Sequence, residues 1–185
     1  MRKTILVKGP ALSRSGYGEQ ARFALRALRT REDVLDIYIV NIPWGQTGLI
    51  VEESEERAWI DQTINKTQVY VQNQGTFDLS LQITIPNEFE KIAPYNVGYT
   101  AGIETTKVAP QWIEKSNLMI DKIITISEHS KKVFENTKYD VGNRETGEEV
   151  KGWGLQVPVE VVNYAVREEE PQEVDIKFTT TKNFL

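Results

Sequence analysis

The feature that most constrains the fold of this chain is the alternation of short apolar runs with segments of helical period. Residues 5–7 form a continuous apolar run that ends at a Gly-Pro pair, which is typical of a strand buried on both faces of a parallel sheet. From Tyr17 the apolar residues recur with a helical period, and residues 35–40 return to a strand pattern. This order predicts parallel β-α-β units. We therefore expect an α/β fold with a Rossmann-like, doubly wound and mostly parallel sheet that carries helices on both faces.

The rest of the chain mostly continues this order. Helices are predicted after Ser54 to about residue 64, from Pro110, and after Ser127 through about residue 136. Further strands are predicted at residues 68–72, 79–85, 95–100, 121–126 and 159–163. The segment 139–156 breaks the pattern because it holds four glycines around a charged centre. We expect a β-hairpin insertion there.

The domain organisation predicted from the sequence is one complete unit followed by the beginning of another. Residues 1–166 are expected to form the Rossmann-like domain. The next residues are acidic and contain Pro171, as linkers often do, and the final residues resemble the start of a new strand. We therefore expect residues 167–185 to be a linker and the start of a missing C-terminal domain.

Composition excludes several classes of function. The net charge of −5 gives no overall attraction to nucleic acid or to anionic membranes. The chain has no cysteine and only one histidine, His129, so Cys-ligated and His-cluster metal sites are excluded, and we predict neither a metal site nor a tightly bound cofactor. No apolar run approaches the roughly 18 residues of a membrane span, and the N-terminus lacks the pattern of a signal peptide. We expect a cytoplasmic protein without a membrane span.

A glycine turn formed by Ser15, Gly16, Tyr17 and Gly18 separates the first strand from the first helix. It matches the dinucleotide-binding pattern G-x-G-x-x-A, but several residues separate the strand from the first glycine, and Asp36 starts the second strand instead of ending it. Small residues let the backbone approach a ligand, and the first N–H groups of a helix favour an anion. Two interpretations stay open, a turn that faces a phosphate-bearing ligand and a turn whose glycines only permit a tight bend.

Two further segments carry a family resemblance together with the glycine turn. They are residues 98–112, GYTAGIETTKVAPQW, and residues 121–131, DKIITISEHSK, which are followed by VPVEVVN at residues 157–163. Over about residues 3–166 the chain resembles the N-terminal, acceptor-side domain of GT-B-fold glycosyltransferases of the group 1 type. The Pro-Asn-Gly ending of that family is replaced here by residues 163–165, NYA.

The resemblance implies the acceptor-binding half of an enzyme that transfers a sugar from a nucleotide-sugar donor to an unknown acceptor. It assigns residues 15–18 to the diphosphate of the donor, and the remaining donor contacts to the missing C-terminal domain, so we expect this chain alone to be inactive. Glu104, just beyond a strand end, is the candidate catalytic residue, because a carboxylate there can accept acceptor hydroxyls or assist proton transfer. Its alternative role is to order its own loop.

Five other residues are candidates for the acceptor site or the cleft. They are Trp44, which can stack on a sugar face, Asn87 and Glu88, which follow a predicted strand, and Ser127 and Glu128 at a helix start. Ser127 most simply caps its helix, and Glu128 complements the helix dipole. Two other functions stay open for the whole chain. One is a non-catalytic carbohydrate- or protein-binding module on the same fold, and the other is an NAD(P)-dependent enzyme.

Overall fold

A computed structural model describes residues 2–142, 147 and 149–166 of the chain. The expected linker and second-domain start at residues 167–185 lie outside the described residues. The strands are β1 (Lys3–Gly9), β2 (Leu35–Asn41), β3 (Leu79–Ile83), β4 (Tyr95–Tyr99), β5 (Lys122–Thr125), β6 (Lys138–Gly142), β7 (Glu149–Gly154) and β8 (Val159–Val161). The helices are α1 (Gly16–Arg29), α2 (Glu55–Gln72), α3 (Pro110–Met119) and α4 (Glu128–Asn136), with a short 3-10 turn at Pro86–Glu88.

The central sheet has six parallel strands in the order β2-β1-β3-β4-β5-β8, which confirms the predicted Rossmann-like architecture. The chain runs outward from β1 to β2 and then crosses back over β1 to reach β3. The strand order therefore reverses between β1 and β3. Such a switch point, at the carboxyl ends of the strands, is where open α/β sheets bind ligands.

Helices pack on both faces of the sheet, as predicted. On one face, Ala21 and Leu25 of α1 are buried in a core cluster with strand residues of β1, β2 and β3. On the other face, Phe134 of α4 and Ile113 of α3 pack with Ile123 in a second cluster. The neighbouring residue in β5, Ile124, packs against the first cluster, because successive strand side chains point to opposite faces. Each fully buried Leu, Ile or Phe in these clusters contributes about 1.5–3 kcal/mol to folding.

The predicted strand at residues 68–72 is wrong, because those residues form the end of α2, which runs from Glu55 to Gln72. This helix covers the free edge of β2. Thr67 Oγ1 accepts a hydrogen bond from the N–H of Ile39 at 2.8 Å, and Lys66 Nζ donates to the carbonyl of Ile37 at 3.0 Å. The β-branched residues of the segment favour a strand locally. Contacts with the sheet edge outweigh that preference.

The connection between β3 and β4 contains no α-helix, and a buried asparagine organises it. Asn96 Oδ1 accepts hydrogen bonds from the N–H groups of Ile92 and Ala93, both at 3.0 Å, and from Ser80 Oγ at 2.8 Å. Phe89 is fully buried on the same side of the sheet. The loop therefore covers part of the sheet that a helix would otherwise cover.

The predicted hairpin insertion is confirmed. Strands β6 and β7 pair antiparallel in a sheet of their own, between α4 and β8. Tyr139 fastens the hairpin to the domain, since its hydroxyl donates to the carbonyl of Val108 at 2.6 Å. Residues 143–146 and 148, which belong to the predicted insertion, lie outside the described residues.

Candidate functional site

Every site residue predicted from the sequence lies just after the carboxyl end of a strand. The glycine turn follows β1 and Trp44 follows β2, while the remaining candidates follow β3, β4 and β5: Asn87, Glu88, Glu104, Ser127 and Glu128. Parallel strands end at one edge of the sheet, so the structure places all of these residues along that edge. The glycine turn and the Asn87–Glu88 pair flank the switch point between β1 and β3.

The two glycines of the turn differ in what the fold requires of them. A Cβ atom on Gly18 would lie 2.1 Å from the carbonyl oxygen of Ser13, so close packing of the turn excludes a side chain there. A Cβ atom on Gly16 would meet nothing within 4 Å, and the backbone of Gly16 is outside the left-handed region. The tight bend therefore accounts for a glycine at position 18 but not for one at position 16.

The first turn of α1 has unused hydrogen-bond donors. Ser15 is the N-cap, and its Oγ accepts from the N–H of Gly18 at 3.0 Å while its carbonyl accepts from the N–H of Glu19 at 2.9 Å. Within the part of the chain that the structure describes, the N–H groups of Gly16 and Tyr17 have no protein acceptor. These groups carry the partial positive charge of the helix N-terminus, so they are suited to an anion.

A chain of hydroxyl groups ties the turn to the loop after β2. Ser13 Oγ donates to Ser15 Oγ at 2.9 Å and lies 2.6 Å from Thr47 Oγ1. Thr47 in turn donates to the carbonyl of Trp44 at 2.6 Å. The loop that carries Trp44 is therefore held against the start of α1.

Tyr17 connects the same turn to two other loops. Its ring packs on that of Trp44, with ring centroids 4.3 Å apart. Its phenol oxygen accepts from the N–H of Ala101 at 3.0 Å and shares a hydrogen bond with Thr100 Oγ1 at 3.0 Å. Burial raises the pKa of Tyr17, the hydrogen bonds from Thr100 and Ala101 oppose that rise, and the charge of Glu88 adds to it. The phenol is therefore neutral at physiological pH.

Arginines close to the turn are engaged with the protein. Arg22 is 7% exposed, and its guanidinium donates to the carbonyls of Ala11 and Ser13 at 2.8 and 2.9 Å and pairs with Glu19 at 2.7 Å. Arg14 pairs with a carboxylate in the loop after β2. Arg22 thus holds the backbone of the turn in place. Both arginines thus have their charges paired within the protein.

The loop between β4 and α3 carries Glu104, whose side chain is exposed. It lines a cavity of about 350 Å³ formed mainly by its own loop, and neither Gly16 nor Ser127 lines that cavity.

Ser127 caps α4 as predicted, since its Oγ accepts from the N–H of Ser130 at 3.1 Å. Ser130 Oγ accepts from the N–H of Ile103 at 3.0 Å, which ties the start of α4 to the Glu104 loop. Glu128 is the first residue of α4, as expected. The residues share one edge without enclosing one pocket.

A larger cavity, of about 640 Å³, lies between α2 and the end of β2. Its walls are mainly apolar, and it contains none of the predicted site residues. Asn41, which ends β2, lines it, and Asn41 Oδ1 accepts from the N–H of Leu12 at 2.9 Å. Because β2 is the outermost strand, this cavity lies to the side of the switch point between β1 and β3.

The described residues contain no group of three or more His, Cys, Asp or Glu side chains placed to hold a metal ion. In the same part of the chain, no helix is both long and apolar enough to cross a membrane. Comparisons with protein-family models, with curated proteins and with solved structures found no match. The glycosyltransferase resemblance therefore rests on the sequence motifs alone, and the structure shows a Rossmann-like α/β fold.

Proposed function

We propose that the start of α1 binds the diphosphate of a nucleotide-sugar and that this chain is the acceptor-side half of a glycosyltransferase. The observation that carries the proposal is Gly16, a residue without a packing requirement at the first position of a helix. Its own N–H and that of Tyr17 are unused donors, and the turn borders the switch point of the sheet. An absent side chain at this position lets a ligand reach the backbone.

In sugar transfer these donors would stabilise charge on the diphosphate. Negative charge develops on the diphosphate as the bond to the sugar breaks, and helix N–H groups aimed at that charge stabilise it without reorganising. In this proposal Glu104 accepts the hydroxyl proton of the acceptor, and Trp44 and Glu88 line the acceptor side. In the full enzyme that the resemblance implies, a second domain supplies the cationic donor contacts. A cytoplasmic location belongs to the same proposal.

The isolated chain is expected to bind donors weakly. Arg14 and Arg22 are both engaged with the protein, so the diphosphate gains little from full charges. Two backbone N–H groups and nearby hydroxyls support a dissociation constant of about 1 mM. Sugar transfer is not expected without the second domain.

Geometry disfavours a nicotinamide-dependent enzyme. In the dinucleotide-binding fold, an acidic residue at the end of the second strand binds the ribose of NAD. Here Asn41 ends β2 and is bonded to Leu12, while Asp36 lies near the start of β2 and pairs with Lys66 at 2.6 Å. No carboxylate therefore occupies the ribose position at the end of β2.

A titration followed by amide NMR tests the proposed function. Uridine diphosphate glucose and guanosine diphosphate mannose are expected to shift the amide signals of Gly16 and Tyr17, whereas glucose alone leaves them unchanged. Absence of any shift at these amides up to about 10 mM of either nucleotide-sugar contradicts the proposal. Shifts near Trp44 or Glu104 with free sugars, and none at Gly16, would instead support a non-catalytic carbohydrate-binding module.

A further inference from the structure

We infer that Tyr17 is a positioning residue that couples the diphosphate-binding start of α1 to the loop that carries Glu104. The inference rests on the proposed function and adds to it a means by which one part of the site regulates another. Tyr17 acts through its side chain on the loop, while its backbone N–H faces the ligand position.

Contacts of Tyr17 connect elements that are far apart in the sequence. Its phenol oxygen meets Thr100 and Ala101, 83 and 84 residues away, with both hydrogen bonds at 3.0 Å. Ala101 lies three residues before Glu104 in the same loop. A displacement of the first turn of α1 is therefore transmitted directly to the base of the Glu104 loop.

The loop is held at several points, and those beyond Ala101 do not involve Tyr17. Beyond Ala101, the N–H of Ile103 is held by Ser130 of α4 at 3.0 Å. Tyr17 therefore controls residues 100–101, and α4 controls the next part of the loop. Thr100 is buried, so water does not readily replace the phenol as its partner.

Coupling of this kind is reciprocal. If binding of a diphosphate at α1 orders the Glu104 loop, then an ordered loop strengthens diphosphate binding by the same factor. Removing the phenol hydroxyl should therefore make residues 100–101 less ordered and reduce their response to the ligand. The backbone N–H donors and the ring contact with Trp44 remain in Tyr17→Phe.

Amide hydrogen exchange tests the structural link. In Tyr17→Phe the exchange of the Ala101 amide is expected to rise about tenfold, because its acceptor is gone. Tyr70→Phe is the matched control, since Tyr70 donates to the carbonyl of Thr76 at 2.9 Å on another part of the surface. An Ala101 amide that exchanges equally fast in Tyr17→Phe and in the wild type overturns the inference.

A pyrophosphate titration tests the transmission itself. In the wild-type chain the signals of Gly16 and of Ala101 should move together, whereas in Tyr17→Phe the Gly16 signal still moves and the Ala101 signal moves less than half as far. Equal movement of Ala101 in both proteins overturns the coupling and leaves the proposed function intact. If the wild-type Gly16 signal does not move, the proposed function fails, and the coupling fails with it.

Thr100→Val tests the same coupling without altering Tyr17. It removes one of the two polar partners of the phenol and keeps the size of the side chain. The Ala101 response to pyrophosphate should fall to a value between those of the wild type and Tyr17→Phe. A response in Thr100→Val equal to that of the wild type shows that the Thr100 contact transmits nothing and counts against the inference.

Discussion

At the scale of single residues, the turn before α1 combines positions that the fold determines with one that it leaves open. Gly18 is fixed by the carbonyl oxygens of Ser13 and Pro10, which a Cβ atom would approach to 2.1 and 3.0 Å. Ser15 caps the helix and Arg22 holds the carbonyls of the preceding loop. Gly16 alone among these has no packing partner for a side chain. The residues around Gly16 thus hold in place a position to which the proposed function assigns ligand binding.

Replacing Gly18 with alanine should destabilise the domain by about 3 kcal/mol, because the clashing atoms belong to the backbone and cannot rotate away. Gly16→Ala is the matched control and should change the free energy of unfolding by less than about 0.5 kcal/mol. Urea denaturation monitored by circular dichroism measures both. Equal destabilisation by the two substitutions would contradict the distinction between the glycines.

Asp36 provides a pH-dependent contribution to stability. Partial burial raises its pKa, but hydrogen bonds from Lys66 and Tyr38 and the charges of Lys66 and Arg2 outweigh it, so the net pKa lies below the usual value. A carboxyl whose pKa is lowered on folding stabilises the protein above its unfolded pKa and loses that contribution as the pH falls through its folded pKa.

We therefore expect Asp36→Asn to lower the free energy of unfolding by at most about 1 kcal/mol at pH 7, and by less as the pH falls below about 4. Asp33→Asn is the control, because Asp33 pairs with Arg31 and is exposed. Urea denaturation at pH 7 and at pH 3 measures the difference. A deficit of Asp36→Asn that persists undiminished at pH 3 would show that the stabilisation does not depend on the carboxylate.

At the scale of elements, local signals in the sequence predicted the helix starts well. Ser54, Ser127 and Pro110 each precede or begin a helix as expected, because capping and the fixed φ of proline act within one turn. The end of α2 could not be predicted in this way. Just before its last residues, Lys66 and Thr67 hold α2 against the edge of β2, a contact between segments about thirty residues apart.

Thr67→Val should destabilise the domain by about 1–2 kcal/mol, because it keeps the shape of the side chain but leaves the N–H of Ile39 without its acceptor. Thr67→Ser keeps the hydroxyl and is the control for that hydrogen bond. Amide exchange of Ile39 should accelerate in the valine variant and stay slow in the serine variant. Equal protection of Ile39 in both would mean that the Thr67 hydroxyl is not the acceptor of its N–H group.

At the scale of the whole molecule, the sequence predicted the sheet and its helices but only part of the site. The candidates lie on one edge because each follows a strand, and parallel strands end together. The strand order, and with it the meeting of Tyr17 with Thr100, depends on long-range pairing that no local pattern encodes. Arg22 was missed as a support of the turn for the same reason, since its carbonyl partners lie outside its helix.

The most direct test of the central claim is the binding of pyrophosphate to the Gly16→Val variant, followed by amide NMR. The added side chain enters open space, so the melting temperature should stay within about 2 °C of the wild type while the dissociation constant rises at least about tenfold from about 1 mM. That result would assign Gly16 to ligand binding. A Gly16→Val variant that binds pyrophosphate as tightly as the wild-type chain would contradict a diphosphate site at the start of α1.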